Sequence, residues 1–137
     1  MAKRVVIYLD GGARGNPGPA GTGYLIFDEE GRLLAREGRY IGFTTNNVAE
    51  YTALVQALDR ARGFEAQEIA IRSDSELVVR QLNRSYKVRD KKLKPLNERV
   101  RILLYPYRKV EIQHVPREEN READELVNQA IDEALQE

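Results

Sequence analysis

Four carboxylate side chains occupy positions where a folded chain could bring them together. Asp10 ends an apolar run and is followed at once by two glycines, and Asp74 ends a second apolar run. Glu50 and Asp124 lie near the starts of two predicted helices. Because the chain has no cysteine and one histidine, oxygen atoms are its natural metal ligands. Oxygen ligands suit hard cations such as Mg²⁺ or Mn²⁺.

Two interpretations of these acids stay open on residue types alone. Clustered beside a surface that attracts anions, four carboxylates indicate phosphoryl chemistry with two metal ions. The alternative is four unrelated acids, since Asp-Gly commonly opens a turn and a glutamate in the first turn of a helix interacts well with its dipole.

The predicted elements decide whether the acids can meet. After Arg4, residues 5–9 form an apolar run rich in β-branched side chains, which predicts a central strand buried on both faces and ending at Asp10. Residues 11–21 have the composition of a loop, and residues 22–28 and 33–41 complete a three-stranded antiparallel meander with a turn at 29–32. A nucleotide-binding glycine loop is excluded, because a strand rather than a helix follows it.

The second half of the chain alternates helices and strands. Capping residues at 44–47 precede a helix over 48–61, with Glu50 in its first turn, and a strand over 68–73 is followed by a helix over 76–83. A helix over 92–104, a strand over 109–115 and an apolar-striped final helix follow. Such crossovers make the fourth strand parallel to the first, so Asp10 and Asp74 are predicted neighbours.

Composition narrows the class of protein. A chain of 137 residues is expected to form one domain, 1–137, with one core. No apolar run approaches membrane-spanning length and no signal peptide is evident, so we expect a soluble protein of the cytoplasm. The net charge is zero, yet residues 80–101 carry nine Lys/Arg against two acids, which indicates an anionic partner or a solvated basic surface.

Four ordered motifs together resemble type 1 ribonuclease H along essentially the whole chain. They are DGGARGNPGPAG from Asp10, TNNVAE ending at Glu50, SDSE around Asp74, and NREADEL containing Asp124. The resemblance implies an α/β fold of the ribonuclease H type: a five-stranded mixed sheet in the order 3-2-1-4-5, with its first three strands antiparallel, flanked by helices. It also implies endonucleolytic hydrolysis of the RNA strand of RNA–DNA hybrids, leaving 5′-phosphate and 3′-hydroxyl ends.

Residue roles follow from the same resemblance. It makes Asp10, Glu50, Asp74 and Asp124 the ligands of two Mg²⁺ ions, which Mn²⁺ can replace, with Asp10 bridging both ions. It assigns hybrid contacts to five further residues: Asn16 and Thr45 to the backbone, and Asn46, Asn47 and Glu76 to the minor groove. Glu76 stands where many members carry glutamine, and its carboxylate, unlike an amide, repels phosphate and donates no hydrogen bond.

The chain departs from many bacterial members in two ways. The span between Asp74 and residue 104 is too short for the extra helix and basic loop that grip substrate, so the basic run containing Lys87 and Arg89 is expected to compensate in part. The family's loop histidine has two counterparts here. His114 matches by spacing but falls in a predicted strand, whereas Arg117 lies in the loop itself, and both stay candidates for assisting catalysis.

Two other functions are compatible with the fold. One is a nucleic-acid-binding module with weak or lost catalysis, which the presence of all four carboxylates disfavours. The other is a DNA nuclease or resolvase of the same superfold, which the Asn46–Asn47 pair disfavours because 2′-hydroxyl recognition serves no purpose on DNA. We expect the protein to be a monomer, and the sequence leaves its metal preference and cleavage-site preference undetermined.

Overall fold

A computed structural model describes residues 2–84 and 87–136. Its elements run in the order β1 (Arg4–Ala13), β2 (Gly18–Asp28), β3 (Leu33–Thr44), α1 (Asn46–Ala61), β4 (Glu68–Ser73), α2 (Glu76–Leu82), α3 (Leu93–Leu104), β5 (Lys109–His114) and α4 (Arg121–Leu135). Short 3₁₀ turns occupy Arg62–Phe64 and Arg117–Asn120. Across these described residues, no helix combines the length and apolar character needed to cross a membrane.

One mixed sheet in the order β3-β2-β1-β4-β5 organises the fold, which confirms the predicted architecture. β1 pairs antiparallel with β2, and β2 with β3. β4 lies parallel to β1, and β5 lies parallel to β4. The helices between parallel strands return the chain to the same edge each time. The carboxyl ends of β1, β4 and β5 therefore face one side of the molecule.

The predicted loop over 11–21 is wrong over most of its length. β1 continues to Ala13 and β2 begins at Gly18, so only residues 14–17 connect them. The glycines here serve close packing rather than a turn. A Cβ on Gly11 would overlap the Ala49 carbonyl of α1, and one on Gly23 would lie 2.6 Å from the Ala123 carbonyl of α4. Glycine in a strand often marks such a close approach of another backbone.

Helices cover both faces of the sheet. α1 and α3 pack on one face through fully buried side chains that include Leu54 and Leu58 of α1 and Val100 of α3. α4 packs on the other face, over β2, β3 and the end of β1, with Ala123 and Leu126 against Leu25. The two glycine-lined contacts let α1 and α4 come close to the sheet, where they flank the carboxyl end of β1.

A buried hydrogen-bond network fixes α1 against its neighbours. The Tyr51 hydroxyl donates to Gln81 Oε1 of α2 at 2.6 Å and accepts from Asn97 Nδ2 of α3 at 3.0 Å. Arg101 extends the network, since its Nε donates to Asn97 Oδ1. Tyr51 is completely buried, and a fully satisfied polar network in a core specifies one arrangement of the helices that share it. Glu50 precedes Tyr51 on α1, so the network fixes the helix segment that carries this carboxylate.

Candidate active site

β1 and β4 separate at the position where two of the predicted carboxylates stand. Leu9 and Ser73 form the last pair of the parallel β1–β4 ladder. Asp74 follows directly after β4, as predicted. Asp10 does not end its strand, because β1 continues for three residues and Asp10 pairs with Gly23 of β2. Asp10 thus lies on a strand held on one side only, facing the gap that opens where β4 ends.

Glu50 reaches the same gap from α1. The helix begins at Asn46, two residues earlier than predicted, so Glu50 lies in its second turn and the prediction of a first-turn acid is wrong. Side-chain oxygens of Asp10, Glu50 and Asp74 all lie within 4.8 Å of one another. Three carboxylates from separate elements at this distance form a cluster with a high local negative charge.

Asp124 completes the predicted set of carboxylates from α4, which packs on the face of the sheet opposite α1. It lies in the first turn of α4, as predicted, and lines the same cleft as the other three carboxylates. This cleft has a volume of about 570 Å³ and is bounded by the end of β1, the start of α1, the residues after β5 and one face of α4. The structure therefore brings all four predicted carboxylates together.

Burial and mutual repulsion shift the protonation of the cluster. Burial, the Asp74 charge and hydrogen bonding with Asp124 raise the pKa of Asp10 to about 8. Burial and the charges of Asp10 and Asp74 raise the pKa of Glu50 well above its ordinary value. Burial also raises the pKa of Asp74, and the nearby Arg117 guanidinium opposes that rise. Without a cation, ionising all of these neighbouring carboxylates costs free energy, because their negative charges repel one another.

The donor set fits divalent metal ions. Glu50 Oε2 is buried and has no hydrogen-bond partner among the described residues. An unsatisfied buried carboxylate oxygen is costly in a folded protein, and a cation removes that cost. The neighbouring donors are carboxylate oxygens, which are the ligands that Mg²⁺ and Mn²⁺ prefer. Asp10, Glu50, Asp74 and Asp124 are thus able to hold such ions.

His114 and Arg117 both border the cleft. His114 is the last residue of β5 and is paired with Ser73, and its Nε2 lies 3.3 Å from the Asp74 carbonyl oxygen. Arg117 opens the 3₁₀ turn before α4 and is exposed on the cleft rim. His114 lies in a strand and still borders the cleft, because β5 ends at this residue. The arrangement keeps both side chains as candidates.

Asn16 and Asn46 are joined by a hydrogen bond beside the cleft, and Thr45 directly precedes Asn46. Asn16 Oδ1 accepts from the Asn46 backbone N–H at 3.0 Å, and Asn46 Oδ1 accepts from the Ala13 N–H at 2.8 Å. Thr45 caps α1, because its Oγ1 accepts from the Val48 N–H. Asn47 is exposed in the first turn of α1. The bonds of Asn46 to Asn16 and to Ala13 thus join β1 and the β1–β2 connection to the start of α1.

The remaining predicted contacts lie outside the lining of the main cleft. Glu76 is exposed at the start of α2 and pairs with Arg80 at 3.1 Å. Lys87 borders a separate surface cleft together with Arg84 and Arg101. Arg89 is exposed in the connection between α2 and α3. Part of the basic run, residues 85 and 86, falls outside the described residues.

Sequence reasoning missed two cleft residues, Arg14 and Asn128. Arg14 NH1 pairs with Asp132 at 2.7 Å, and its NH2 donates to the Asn128 carbonyl and side-chain oxygens. Both residues line the cleft, so they clamp the β1–β2 connection to α4. The spacing of Asn128 four residues after Asp124 places the two on one helix face, and this was the signal available in the sequence.

A sheet of this order, with carboxylates converging where β1 and β4 part, defines the ribonuclease H-like class of folds. A family model described as reverse transcriptase-like matches residues 8–130. Ribonuclease HI of Halobacterium salinarum is 44% identical over 131 residues, covering 96% of this chain and 66% of the relative. A bifunctional protein of Mycobacterium tuberculosis is 42% identical over 134 residues, covering 97% of this chain and 37% of that relative.

Solved structures agree with the sequence comparison. The structure of LC11-RNase H1 in complex with RNA/DNA hybrid superposes with a TM-score of 0.92 and 47% identity, covering 96% of this chain and 99% of that one. The chain belongs to the type 1 ribonuclease H family. This family is metal-dependent, in agreement with the carboxylate cluster. The chain spans less than two thirds of the length of the curated relatives named above.

Proposed function

We propose that this protein is an endonuclease that hydrolyses the RNA strand of RNA–DNA hybrids, leaving 5′-phosphate and 3′-hydroxyl ends. The observation that carries the proposal is the convergence of Asp10, Glu50, Asp74 and Asp124 in one cleft beside an asparagine-rich rim. The crystallised relative bound to RNA/DNA hybrid, at 47% identity, supports the same substrate class.

Two Mg²⁺ ions, which Mn²⁺ can replace, are the proposed cofactors, with the four carboxylates as their ligands. When bound, such ions make water nucleophilic at neutral pH and stabilise the leaving 3′-oxygen. The contribution of the chain is to gather four carboxylates, from β1, the residue after β4, α1 and α4, in one cleft before any ligand arrives. Preorganisation of this kind avoids reorganisation during the reaction.

The rim residues are proposed to position the hybrid. Asn16 and Thr45 contact the nucleic-acid backbone, and Asn46 and Asn47 recognise 2′-hydroxyl groups across the wide minor groove. Glu76 is already paired with Arg80, which supports a minor role at most in substrate binding. Lys87 and Arg89 supply phosphate contacts from the basic segment, so hybrid binding is expected to weaken steeply with salt.

His114 and Arg117 are proposed as the residues that assist water activation or product release. Both border the cleft next to Asp74, from β5 and from the 3₁₀ turn respectively. Comparing His114→Ala with Arg117→Ala separates the two roles. Replacing the residue that assists should lower kcat at saturating Mg²⁺, and replacing the other should leave kcat near the value of the unsubstituted protein.

The decisive experiment compares substrates of one sequence: a labelled RNA–DNA hybrid, double-stranded RNA, double-stranded DNA, and DNA with a single ribonucleotide, each with Mg²⁺ and with Mn²⁺. We expect cleavage of the RNA strand of the hybrid and none of double-stranded DNA. Asp10→Asn should abolish turnover while the protein stays folded, and Asp59→Asn, which changes an exposed acid on α1 away from the cleft, is the matched control. Full activity in Asp10→Asn would exclude the proposal.

We also propose that residues 1–137 act as a single ribonuclease H domain and as a monomer. The sheet and the helices on the α1 face share one continuous core, which supports independent folding. Light scattering of the purified chain at micromolar concentration gives the mass, and a dimeric mass would contradict this assignment.

A further inference from the structure

Asn120 occupies the N-cap position of α4 but does not act as a cap. An N-cap asparagine normally has extended backbone angles, and its side-chain oxygen accepts a backbone N–H of its own helix. Asn120 has φ −110° and ψ 18°, and its side chain makes no capping bond. Its Oδ1 is buried without a hydrogen-bond partner among the described residues. Something other than helix capping therefore accounts for this side chain.

The amide of Asn120 instead bonds to the strand that carries Asp10. Its Nδ2 donates to the Leu9 carbonyl oxygen at 2.7 Å, across a sequence separation of 111 residues. Asn120 is 1% exposed and Leu9 is completely buried, so this bond is shielded from water. A hydrogen bond in such surroundings is electrostatically stronger than one at the surface.

The accepting carbonyl marks the point where the cleft opens. Leu9 is the last β1 residue paired with β4, and Asp10 follows it. Where the pairing of β1 with β4 ends, the Asn120 side chain supplies β1 with a hydrogen-bond donor. On the other side of the bond, Asn120 joins the 3₁₀ turn that begins at Arg117 to the helix that carries Asp124. This hydrogen bond thus links the strand that carries Asp10 to the segment that carries Arg117 and Asp124.

We propose that Asn120 is a positioning residue, which sets the distance of Asp124 and Arg117 from Asp10 by anchoring the start of α4 to β1. The inference rests on the proposed function in one respect, namely that these carboxylates hold metal ions. The side chain of Asn120 is oriented so that Nδ2 bonds to β1, and this leaves its Oδ1 without a hydrogen-bond partner among the described residues. Such an orientation fits a positioning role.

The test measures Mg²⁺ binding by calorimetry on the protein without nucleic acid, together with kcat and KM for the hybrid. Asn120→Ala should weaken Mg²⁺ binding about tenfold, as expected when a residue that orients metal ligands is removed. The fall in activity should appear in kcat at fixed Mg²⁺, with KM changed by less than about twofold, since Asn120 is only 1% exposed. Asn120→Ser, whose hydroxyl keeps a donor at shorter reach, should give an intermediate Mg²⁺ affinity.

Asn83→Ala is the matched control, because Asn83 Nδ2 also donates to a strand carbonyl, that of Ile112, but at an exposed position directly after α2. Its Mg²⁺ affinity should equal that of the unsubstituted protein. A lowered melting temperature with unchanged Mg²⁺ affinity in both Asn120 variants would overturn the proposal and leave Asn120 a purely structural residue. An unsubstituted protein that does not cleave the hybrid would overturn the proposed function instead, and the binding comparison would still decide the role of Asn120.

Discussion

At the scale of single residues, the carboxylate cluster is the feature that stability alone does not explain. Asp10 is 7% exposed and lies beside two further acids, and Glu50 keeps a buried oxygen without a partner among the described residues. Such an arrangement destabilises the metal-free fold whenever the acids are ionised. Bound cations would relieve this repulsion, and a cleft that gathers acids with strongly raised pKa values is typical of functional sites.

This cluster predicts an unusual dependence of stability on pH. The pKa of Asp10 is raised to about 8, so between its unfolded value and pH 8 the folded protein binds more protons than the unfolded chain. Stability without metal should therefore fall as pH rises from about 4 to about 8, the reverse of a salt-bridged acid. Between pH 5 and pH 8 in EDTA we therefore expect the melting temperature to drop.

Mg²⁺ provides the control for that prediction. Because metal binding requires deprotonated carboxylates, the rise in melting temperature on adding Mg²⁺ should be larger at pH 8 than at pH 5. Asp10→Asn should flatten both trends in differential scanning calorimetry. An unsubstituted protein whose stability rises from pH 5 to pH 8 in EDTA would contradict the raised pKa values.

The two asparagines before Val48 should behave differently when substituted. Both side chains are exposed, but Asn46 is also held by hydrogen bonds to Asn16 and to Ala13. Asn47→Ala should raise KM for the hybrid with no change in melting temperature. Asn46→Ala should raise KM and also lower stability by about 1 kcal/mol, the usual cost of removing one hydrogen bond. Steady-state kinetics and thermal melts on both variants check this, and equal melting shifts would count against it.

At the scale of elements, glycines set how closely the helices that carry the site approach the sheet. α4 lies so near β2 and β3 that a Cβ on Gly23 or Gly38 would come within 2.6 Å of a backbone carbonyl of α4. The position of Asp124 relative to Asp10 therefore depends on residues that have no side chain. Backbone atoms cannot rotate away as a flexible side chain can, so any added atom must move the helix.

Gly23→Ala is predicted to displace α4 and with it Asp124. Overpacking of this kind costs about 1–3 kcal/mol, and a catalytic group displaced by about 1 Å can cost up to about 100-fold in kcat. Gly63→Ala is the matched control, because a Cβ there meets no described atom within 4 Å. Urea unfolding and hybrid cleavage report the two effects, and a fully active, equally stable Gly23→Ala protein would refute the packing argument.

At the scale of the whole molecule, the charge distribution separates the acidic cleft from a basic segment. The chain has 22 basic and 22 acidic residues, yet residues 80–101 hold nine Lys/Arg against two acids. A polyanion approaching the acidic cleft needs compensating cations elsewhere on the surface, and this segment is where the sequence concentrates them.

The double substitution Lys87→Ala/Arg89→Ala is predicted to weaken binding of the hybrid whatever its base sequence. The slope of log K against log salt should become shallower by about 0.9 for each phosphate group that the variant no longer neutralises. Arg108→Ala/Lys109→Ala is the charge-matched control, since these residues lie at the end of β5 remote from His114. Filter binding across a salt series measures the slope, and equal slopes for both double variants would reject a substrate role for the basic segment.

Local patterns in the sequence determined the elements and the chemistry. Apolar runs located β1 and β4, and hydrophobic periodicity located α4. The crossover rule placed Asp10 beside Asp74, because it depends only on the order of the elements and on the handedness of the chain. Four motifs in order identified the family through residue types alone.

Only the tertiary structure decided how closely these parts meet. Residues 11–21 resemble a loop in composition, yet Gly11 and Gly21 lie in strands, with α1 and α4 packed closely against them. The Asn120 bond to Leu9 and the Arg14 clamp on α4 join residues more than 100 positions apart. Such contacts leave no local pattern, since burial and backbone approach are set by the packing of the complete fold rather than by any one segment.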